Sequence, residues 1–381
     1  MKIYKIDITN PKQYFKNLGT DTIGAKILAN KTKLHTIVIK ELHSAGANIL
    51  KQDALSIGAD LAVPRGTVLN LTKTVDVVLI ATTKHLKILS KKEQSQPFGL
   101  KTVAQFLKNY IKPKEFETKI MGVINANDDS FFKNSRYKDE DAIIKIKTMI
   151  DDGAKIIDIG AVSSRPGSEA VNQIDELNRI KYICDTIRTT KLYQDVVFSI
   201  DSYTPSVVQY ALDSGFKIVN DITGLSNDNI AKLVSSYDAK VVIMHMQGDP
   251  KTMQNNPIYD DVVYEVDQFF EQQIKKATKF GINDIILDVG IGFGKTLKHN
   301  LQLLQNMEHF KHFGCEILLG ASRKSMIDMI VPNTPVEDRL SGTLAIHLDG
   351  IKKGASIIRT HDVKEHYQAI KVSQAISQGS I

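Results

Sequence analysis

From residue 118 onward one pattern recurs eight times: a short apolar run that ends in polar residues, then a stretch with helical spacing. The runs fall at 119–125, 155–162, 196–201, 217–221, 240–245, 284–288, 316–322 and 356–362. Several are apolar almost throughout, as strands covered on both faces of a parallel sheet must be. The segments between them are long enough for crossover helices, and 259–280 is one long uninterrupted polar/apolar stretch. Eight strand–helix units favour closure over an open sheet, so residues 116–381 are predicted to form a (β/α)8 TIM barrel, an α/β fold.

Residues 1–115 lack this repeat. Strand-like runs at 36–39 and 75–80 mix with helix-like runs at 45–55 and 102–111, which predicts a small α+β domain of unknown role. The first eight residues, Met1 to Ile8, alternate polar and apolar and read as an opening strand rather than a signal peptide. Residues 90–97, rich in Lys, Gln and Ser, read as a surface loop, and 112–117 as the junction between the domains.

Composition narrows the class. The chain of 381 residues is 42% hydrophobic and 24% charged, ordinary for a soluble globular protein. Nothing approaches the roughly 18 consecutive apolar residues of a membrane-spanning helix, so no membrane partner is expected and a cytoplasmic location is. Cys184 and Cys315 have no metal-ligand spacing and are too few for a disulfide framework. The net charge of +6 hides a split: residues 1–117 carry 19 Lys and Arg against 9 Asp and Glu, the rest 30 against 34. Two units with different surfaces follow. The lysines of the basic unit are scattered and its Tyr and Phe form no stacking motif, so no nucleic-acid partner is expected.

The polar residues that end the eight runs are Asn125, Ser164 with Arg165, Asp201, Asn220 with Asp221, His245, Asp288, Arg323 with Lys324, and Arg359 with His361. In a barrel these strand ends form one rim, the rim that carries active sites. Any single one could instead cap a loop or helix, and Asp221 reads that way. Capping does not account for all eight. Arginines suit a polyanion such as pyrophosphate, and carboxylates at strand ends suit a heterocycle offering adjacent N–H donors. No Ser/His/Asp order suggests acyl transfer, and no His/Cys cluster has zinc spacing. The residues alone thus describe a barrel enzyme for a polar heterocycle bearing phosphate or pyrophosphate.

The motifs are more specific. Met121-Gly122-Val123-Ile124-Asn125, Asp158-Ile159-Gly160 with Ser163-Ser164-Arg165-Pro166-Gly167, Ser199-Ile200-Asp201-Ser202 and Asn220-Asp221-Ile222 open the series. Met244-His245-Met246-Gln247-Gly248, Asp288-Val289-Gly290-Ile291-Gly292-Phe293-Gly294-Lys295, Ser322-Arg323-Lys324-Ser325 and Arg359-Thr360-His361-Asp362-Val363 complete it. Residues 118–370 resemble the dihydropteroate synthase family over the whole barrel. That resemblance implies an enzyme, a transferase, that joins a pterin pyrophosphate to p-aminobenzoate and acts as a homodimer. It implies that Asn125 holds the accompanying Mg²⁺, and that Asp201, Asn220, Asp288 and Lys324 bind the pterin. Met244 would pack on the pterin ring or belong to the barrel core. Ser164, Arg359 and His361 would hold the pyrophosphate, and Arg165, Pro166 and Ser325 would frame p-aminobenzoate. Arg165, Lys324, Arg359 and His361 would carry the catalysis.

The chain departs from the family pattern in places. After Asn125 it reads Ala126-Asn127-Asp128-Asp129-Ser130-Phe131-Phe132-Lys133, with Lys133 where the family has an Asp and Asp128 where it has a Pro. Ala161-Val162 stands where Gly-Glu or Gly-Gln is common, and Val289 replaces a Pro. A pterin-dependent methyltransferase and a non-catalytic pterin-binding homologue are the rival readings.

Overall fold

The computed structural model describes residues 1–69, 71–126, 139–162, 171–249 and 252–378. Two units emerge: Met1–Lys114 with the C-terminal end from Gln374, and Glu115–Ser373.

In the first unit, helices α1 (Pro11–Asn17) and α2 (Thr22–Ala29) precede strand β1 (Leu34–His43) and helix α3 (Ser44–Ser56). Then come β2 (Asp60–Ala62), β3 (Thr74–Thr82), α4 (Thr83–Lys92) and α5 (Leu100–Tyr110). The sheet runs β1-β3-β2 and is antiparallel. β1 buries His35, Ile37 and Leu42. Its alternation slips by one residue between Ile39 and Leu42, where Glu41 sits at φ 52° and Asp76 Oδ1 accepts its N–H. Such a bulge returns Leu42 to the core face. Leu50 from α3, Leu79 from β3, Leu86 and Leu89 from α4, and Leu100 and Leu107 from α5 fill the core.

Two expectations for this unit fail. Residues 1–8 form no strand and are almost all exposed, because an alternating pattern without a partner strand leaves its hydrogen bonds unmade. Residues 90–97 lie mostly at the surface, as expected, but are not a loop. α4 runs to Lys92, a 3₁₀ turn follows over Glu93–Ser95, and Ser90 and Glu93 are buried. The Leu86–Leu89 face carries the helix onward past the polar sequence, and burial together with Asp53 pushes the Glu93 carboxyl up to about 7.

The second unit alternates strand and helix throughout. Its strands are β4 (Lys119–Asn125), β5 (Ile156–Gly160), β6 (Val197–Asp201), β7 (Ile218–Asp221), β8 (Lys240–Met244), β9 (Ile285–Asp288), β10 (Glu316–Leu319) and β11 (Ile357–Thr360). Between and after them lie α6 (Asp139–Asp151), α7 (Gln173–Thr190), α8 (Pro205–Asp213), α9 (Asp228–Ser236), α10 (Val262–Lys279), α11 (Leu297–Gln305), α12 (Met326–Ile330), α13 (Leu340–Lys352) and α14 (Val363–Gln378). The eight strands are parallel and close in chain order, β11 pairing with β4, so this is the TIM barrel that the pattern predicts. A helix side chain such as Phe270 or Ile180 packs with outward-facing strand residues in one continuous ring of core. No helix among the described residues is long and apolar enough to cross a membrane.

Candidate active site

Every second residue of a barrel strand points inward, so the interior fills in layers. At the N-terminal end Glu316 draws in Lys119 at 2.7 Å and Lys240 at 3.5 Å. Above it Met121, Ile156, Ile218, Val242, Ile286, Leu318 and Ile357 form an apolar floor. Two residues further along five of those strands stand Asp158, Asn220, Met244, Asp288 and Arg359. The strand period alone therefore lifts a polar layer onto a dry floor, at the C-terminal rim.

Arg359 organises that layer. Its Nε donates to Asp158 Oδ2 at 2.6 Å and its Nη2 to Asp201 Oδ2 at 2.6 Å. Asn220 Nδ2 also donates to Asp158 Oδ2, at 3.1 Å. Burial by itself would lower the guanidinium's pKa, but Asp158 and Asp201 outweigh it and hold the group above its ordinary value. Two carboxylates share one cation here, and the excess falls on Asp201, which burial pushes up to about 7 against the pull of Arg359. N–H donors from a ligand would favour the ionised form of Asp201, which burial disfavours, so the site is poised to take such donors. Asp158 Oδ1 is buried and has no hydrogen-bond partner among the described residues.

Asp288 and two lysines form the other half. Asp288 accepts the Gly290 N–H at 2.8 Å, and burial raises its pKa while Lys324 opposes that rise. Burial pushes Lys324 down to about 8, with Asp288 acting the other way. Its Nζ donates to the Ile291 carbonyl and lies 4.5 Å from the centre of the Phe293 ring. Lys295 is buried deeper and is pushed down to about 7 by that burial. It contacts His245 Nδ1 at 3.0 Å and donates to the His245 and Phe293 carbonyls. The glycines of 290–294 permit this packing. Gly290 sits at φ +68°, and a Cβ there would collide with the His245 carbonyl.

The remaining assigned residues divide. His361, just past β11, exchanges hydrogen bonds with Ser322 Oγ at 2.9 Å from its Nδ1 and 3.3 Å from its backbone N–H. Asn125 ends β4, in register with Gly160 and, beyond it, Asp201. Met244 is 2% exposed and aligned with Asp288 across the β8–β9 ladder. Ser325 is exposed at the start of α12 and makes no capping bond. Ser164, Arg165 and Pro166 lie outside the described residues, as do Asn127, Asp128 and Lys133. Asp221 is indeed a cap: its carboxylate accepts the Thr223 N–H and hydroxyl and the Leu225 N–H.

Three structural partners lay outside the sequence assignments. Asp158 opens the Asp158-Ile159-Gly160 motif, and a carboxylate two residues beyond Ile156 in an apolar strand marks an inward-facing charge. Glu176 accepts the hydroxyls of Ser202 and Thr204 and so fixes the turn after β6. Arg323, at φ +54°, is spent on a bidentate pair with Asp362 at 2.7 and 2.9 Å and on the Val336 and Glu337 carbonyls. It ties the ends of β10 and β11 together beneath Lys324 and His361.

Comparison with known proteins agrees with this geometry. A family model described as pterin binding enzyme matches residues 121–361. The chain is 39% identical over 368 residues to the bifunctional dihydropteroate synthase/dihydropteroate reductase of Helicobacter pylori, covering 96% of this chain and 97% of that one. The structure of Yersinia pestis dihydropteroate synthase with a sulfonamide drug matches at TM-score 0.65 and 34% identity, covering 69% of this chain and 95% of that one. Thermus thermophilus dihydropteroate synthase in complex with 4-aminobenzoate matches at TM-score 0.62 and 33% identity, covering 68% and 95%. On the barrel, the polar rim and these matches, the chain belongs to the dihydropteroate synthase family of pterin-binding enzymes, which are transferases of folate biosynthesis.

Proposed function

We propose that this rim condenses 6-hydroxymethyl-7,8-dihydropterin pyrophosphate with p-aminobenzoate, giving 7,8-dihydropteroate and pyrophosphate. The observation that carries the reading is Arg359 held between Asp158 and Asp201, in one layer with Asn220, Asp288 and Lys324. The carboxylates and Asn220 take the N–H donors of the pterin, and Lys324 donates to its acceptor edge. Met244 lies under the ring. Arg359 and His361, with Ser164, receive the pyrophosphate. Arg165, Pro166 and Ser325 frame p-aminobenzoate.

The chemistry follows from those positions. The carbon–oxygen bond to pyrophosphate breaks first, leaving a cation-like methylene on the electron-rich pterin. The neutral aryl amine attacks it and then loses a proton. Cations fixed beside the leaving oxygens stabilise developing charge without reorganising, and a held amine needs no search for the carbon. Asn125 fits the assigned metal role: its amide oxygen is a hard neutral donor, and Mg²⁺ takes few protein ligands beside water and substrate phosphates. Bound there, Mg²⁺ would neutralise part of the leaving group's charge.

A cytoplasmic homodimer belongs to the same reading; light scattering on the purified protein tests the dimer. The decisive assay is pyrophosphate release from the pterin pyrophosphate with and without p-aminobenzoate. Release that depends on the aryl amine supports the synthase. A protein that binds the pterin without turnover is a non-catalytic homologue, and methyl transfer without pyrophosphate release would identify a methyltransferase.

We also infer a second activity from the Helicobacter relative, whose name pairs the synthase with a dihydropteroate reductase. That relative matches 96% of the chain, whereas the two synthase structures match 69% and 68%. The difference is about the size of residues 1–114, which makes this unit the candidate for the added function. Reduction of dihydropteroate by the full chain, with a reduced nicotinamide or flavin supplied as the two-electron donor, lost on disrupting the Leu50–Leu79 core while synthase turnover persists, is the supporting outcome.

A further inference from the structure

Outside the rim, the described residues hold one group of three metal-ligating side chains with convergent donor atoms: Asp267, His309 and His312. The sequence gives no sign of it, since the histidines stand three apart while the carboxylate comes 42 residues earlier. A 3₁₀ helix over Met307–Phe313 has three residues per turn, which places side chains at i and i+3 directly above one another. His309 and His312 thus share one face. Ring contacts orient them, His309 edge-on to Phe310 at 5.2 Å between centroids and His312 tilted on Phe313 at 3.9 Å. That face meets the second turn of α10, where Asp267 projects.

Both imidazoles aim Nε2 at the same oxygen. His309 Nε2 lies 2.8 Å and His312 Nε2 2.6 Å from Asp267 Oδ1, and the three ligand atoms fall within 4.8 Å of one another. Exposure is partial, 30% for His309, 17% for Asp267 and 13% for His312, so an ion could enter and keep water in a remaining position. Two imidazoles and one carboxylate suit a borderline divalent ion such as Zn²⁺, with metal–nitrogen and metal–oxygen bonds of about 2.0–2.2 Å. They do not suit Mg²⁺ or Ca²⁺, which prefer oxygen ligands throughout. In a tetrahedral shell neighbouring ligand atoms stand roughly 3.3 Å apart, so each imidazole nitrogen needs to move out from Asp267 Oδ1 by roughly 0.5–0.7 Å.

We propose that Asp267, His309 and His312 form a binding site for a zinc-class divalent ion on the outer helical layer of the barrel. The ion clamps α10 to the 3₁₀ segment that leads into β10, the strand whose end carries Lys324. It takes the place of the Nε2 protons that the imidazoles otherwise donate to Asp267, each neutral ring then carrying its proton on Nδ1. The role is structural, and the site stands apart from the Mg²⁺ assigned to Asn125.

The test uses untagged full-length protein, stripped with a chelator and titrated with Zn²⁺ against a chromophoric competitor in excess Mg²⁺. Wild type is expected to bind one equivalent and to melt at a higher temperature with Zn²⁺ than without. His309→Gln and His312→Gln keep an N–H donor toward Asp267 but lose the metal-binding lone pair. Each is expected to bind about tenfold or more weakly while melting like metal-free wild type. Asp267→Asn, which keeps the oxygen and removes its charge, is expected to weaken binding likewise. Failure of wild type to bind Zn²⁺ would leave the cluster a hydrogen-bonded contact and overturn the proposal. Equal affinity in the His309→Gln/His312→Gln double variant would overturn it as well.

Discussion

Asp158 Oδ2 accepts a hydrogen bond from Arg359 Nε at 2.6 Å, joining residues 201 positions apart in the chain. The contact exists because β11 pairs with β4 and β4 with β5, so the last strand of the barrel ends two places from the second. Asp158 therefore aims the guanidinium, and Asp201 shares it.

Arg359→Ala is expected to lower kcat/KM by the equivalent of ~2–4 kcal/mol, the scale of removing one preorganised donor from a developing anion. Steady-state pyrophosphate release measures this. Near-wild-type turnover would remove Arg359 from the chemistry.

Asp201→Asn keeps the shape and replaces one acceptor oxygen by a donor, which faces the guanidinium or the pterin N–H. A lost charge-assisted hydrogen bond is expected to weaken pterin binding by roughly 1.5–3 kcal/mol. Calorimetry reads the change directly, and unaltered affinity would place the pterin elsewhere.

The Lys324 ammonium, pushed down to about 8 by burial, makes pterin binding sensitive to alkaline pH. The cation is present below that value and lost above it, so affinity is expected to fall as pH rises past about 8. Lys324→Arg stays charged throughout and is expected to abolish the alkaline fall, although its different shape lowers affinity overall. A flat profile in wild type from pH 7 to 9.5 would contradict the assignment.

A buried histidine pair gives the barrel an acid limit. His347 Nε2 accepts the Ala321 N–H at 3.1 Å, so its Nδ1 carries the proton and donates to His366 Nε2 at 2.8 Å. His366 Nδ1 then donates to the Asp362 carbonyl at 2.6 Å. Both rings are neutral, and burial lowers both pKa values below 6.5, that of His347 furthest. Below about 6.5 the unfolded chain takes up protons that the folded chain refuses. Stability is thus fully present above that pH and declines as pH falls, by up to roughly 1.4 kcal/mol per pH unit for each ring. Thermal melts between pH 7.5 and 5 should show the decline, and His347→Gln should make it shallower.

Residues 115–381 contain every proposed rim ligand, and a unit with its own core generally folds alone. That fragment is expected to retain synthase turnover. A folded fragment without turnover would mean that residues 1–114 contribute to the reaction.

The sequence by itself determined the barrel, because eight apolar runs with polar ends can be buried together in few ways. It also determined that Asn125, Asp201, Asn220, Asp288 and Arg359 stand at strand ends, since strand period and motif order are local properties. The family followed from those same motifs. The sequence could not settle pairing across the barrel. Asp158 became the partner of Arg359 only on closure, and Arg323 was withdrawn from the rim by Asp362. Nor could it show that Lys295 lies under His245, which depends on glycines letting two loops touch. The polar stretch at 90–97 folds as helix and 3₁₀ turn rather than loop, with Glu93 buried, because charge density reports composition while burial depends on what packs against α4. The cluster of Asp267, His309 and His312 was invisible for a related reason: its donors converge through the docking of two outer elements, and no local spacing records that contact.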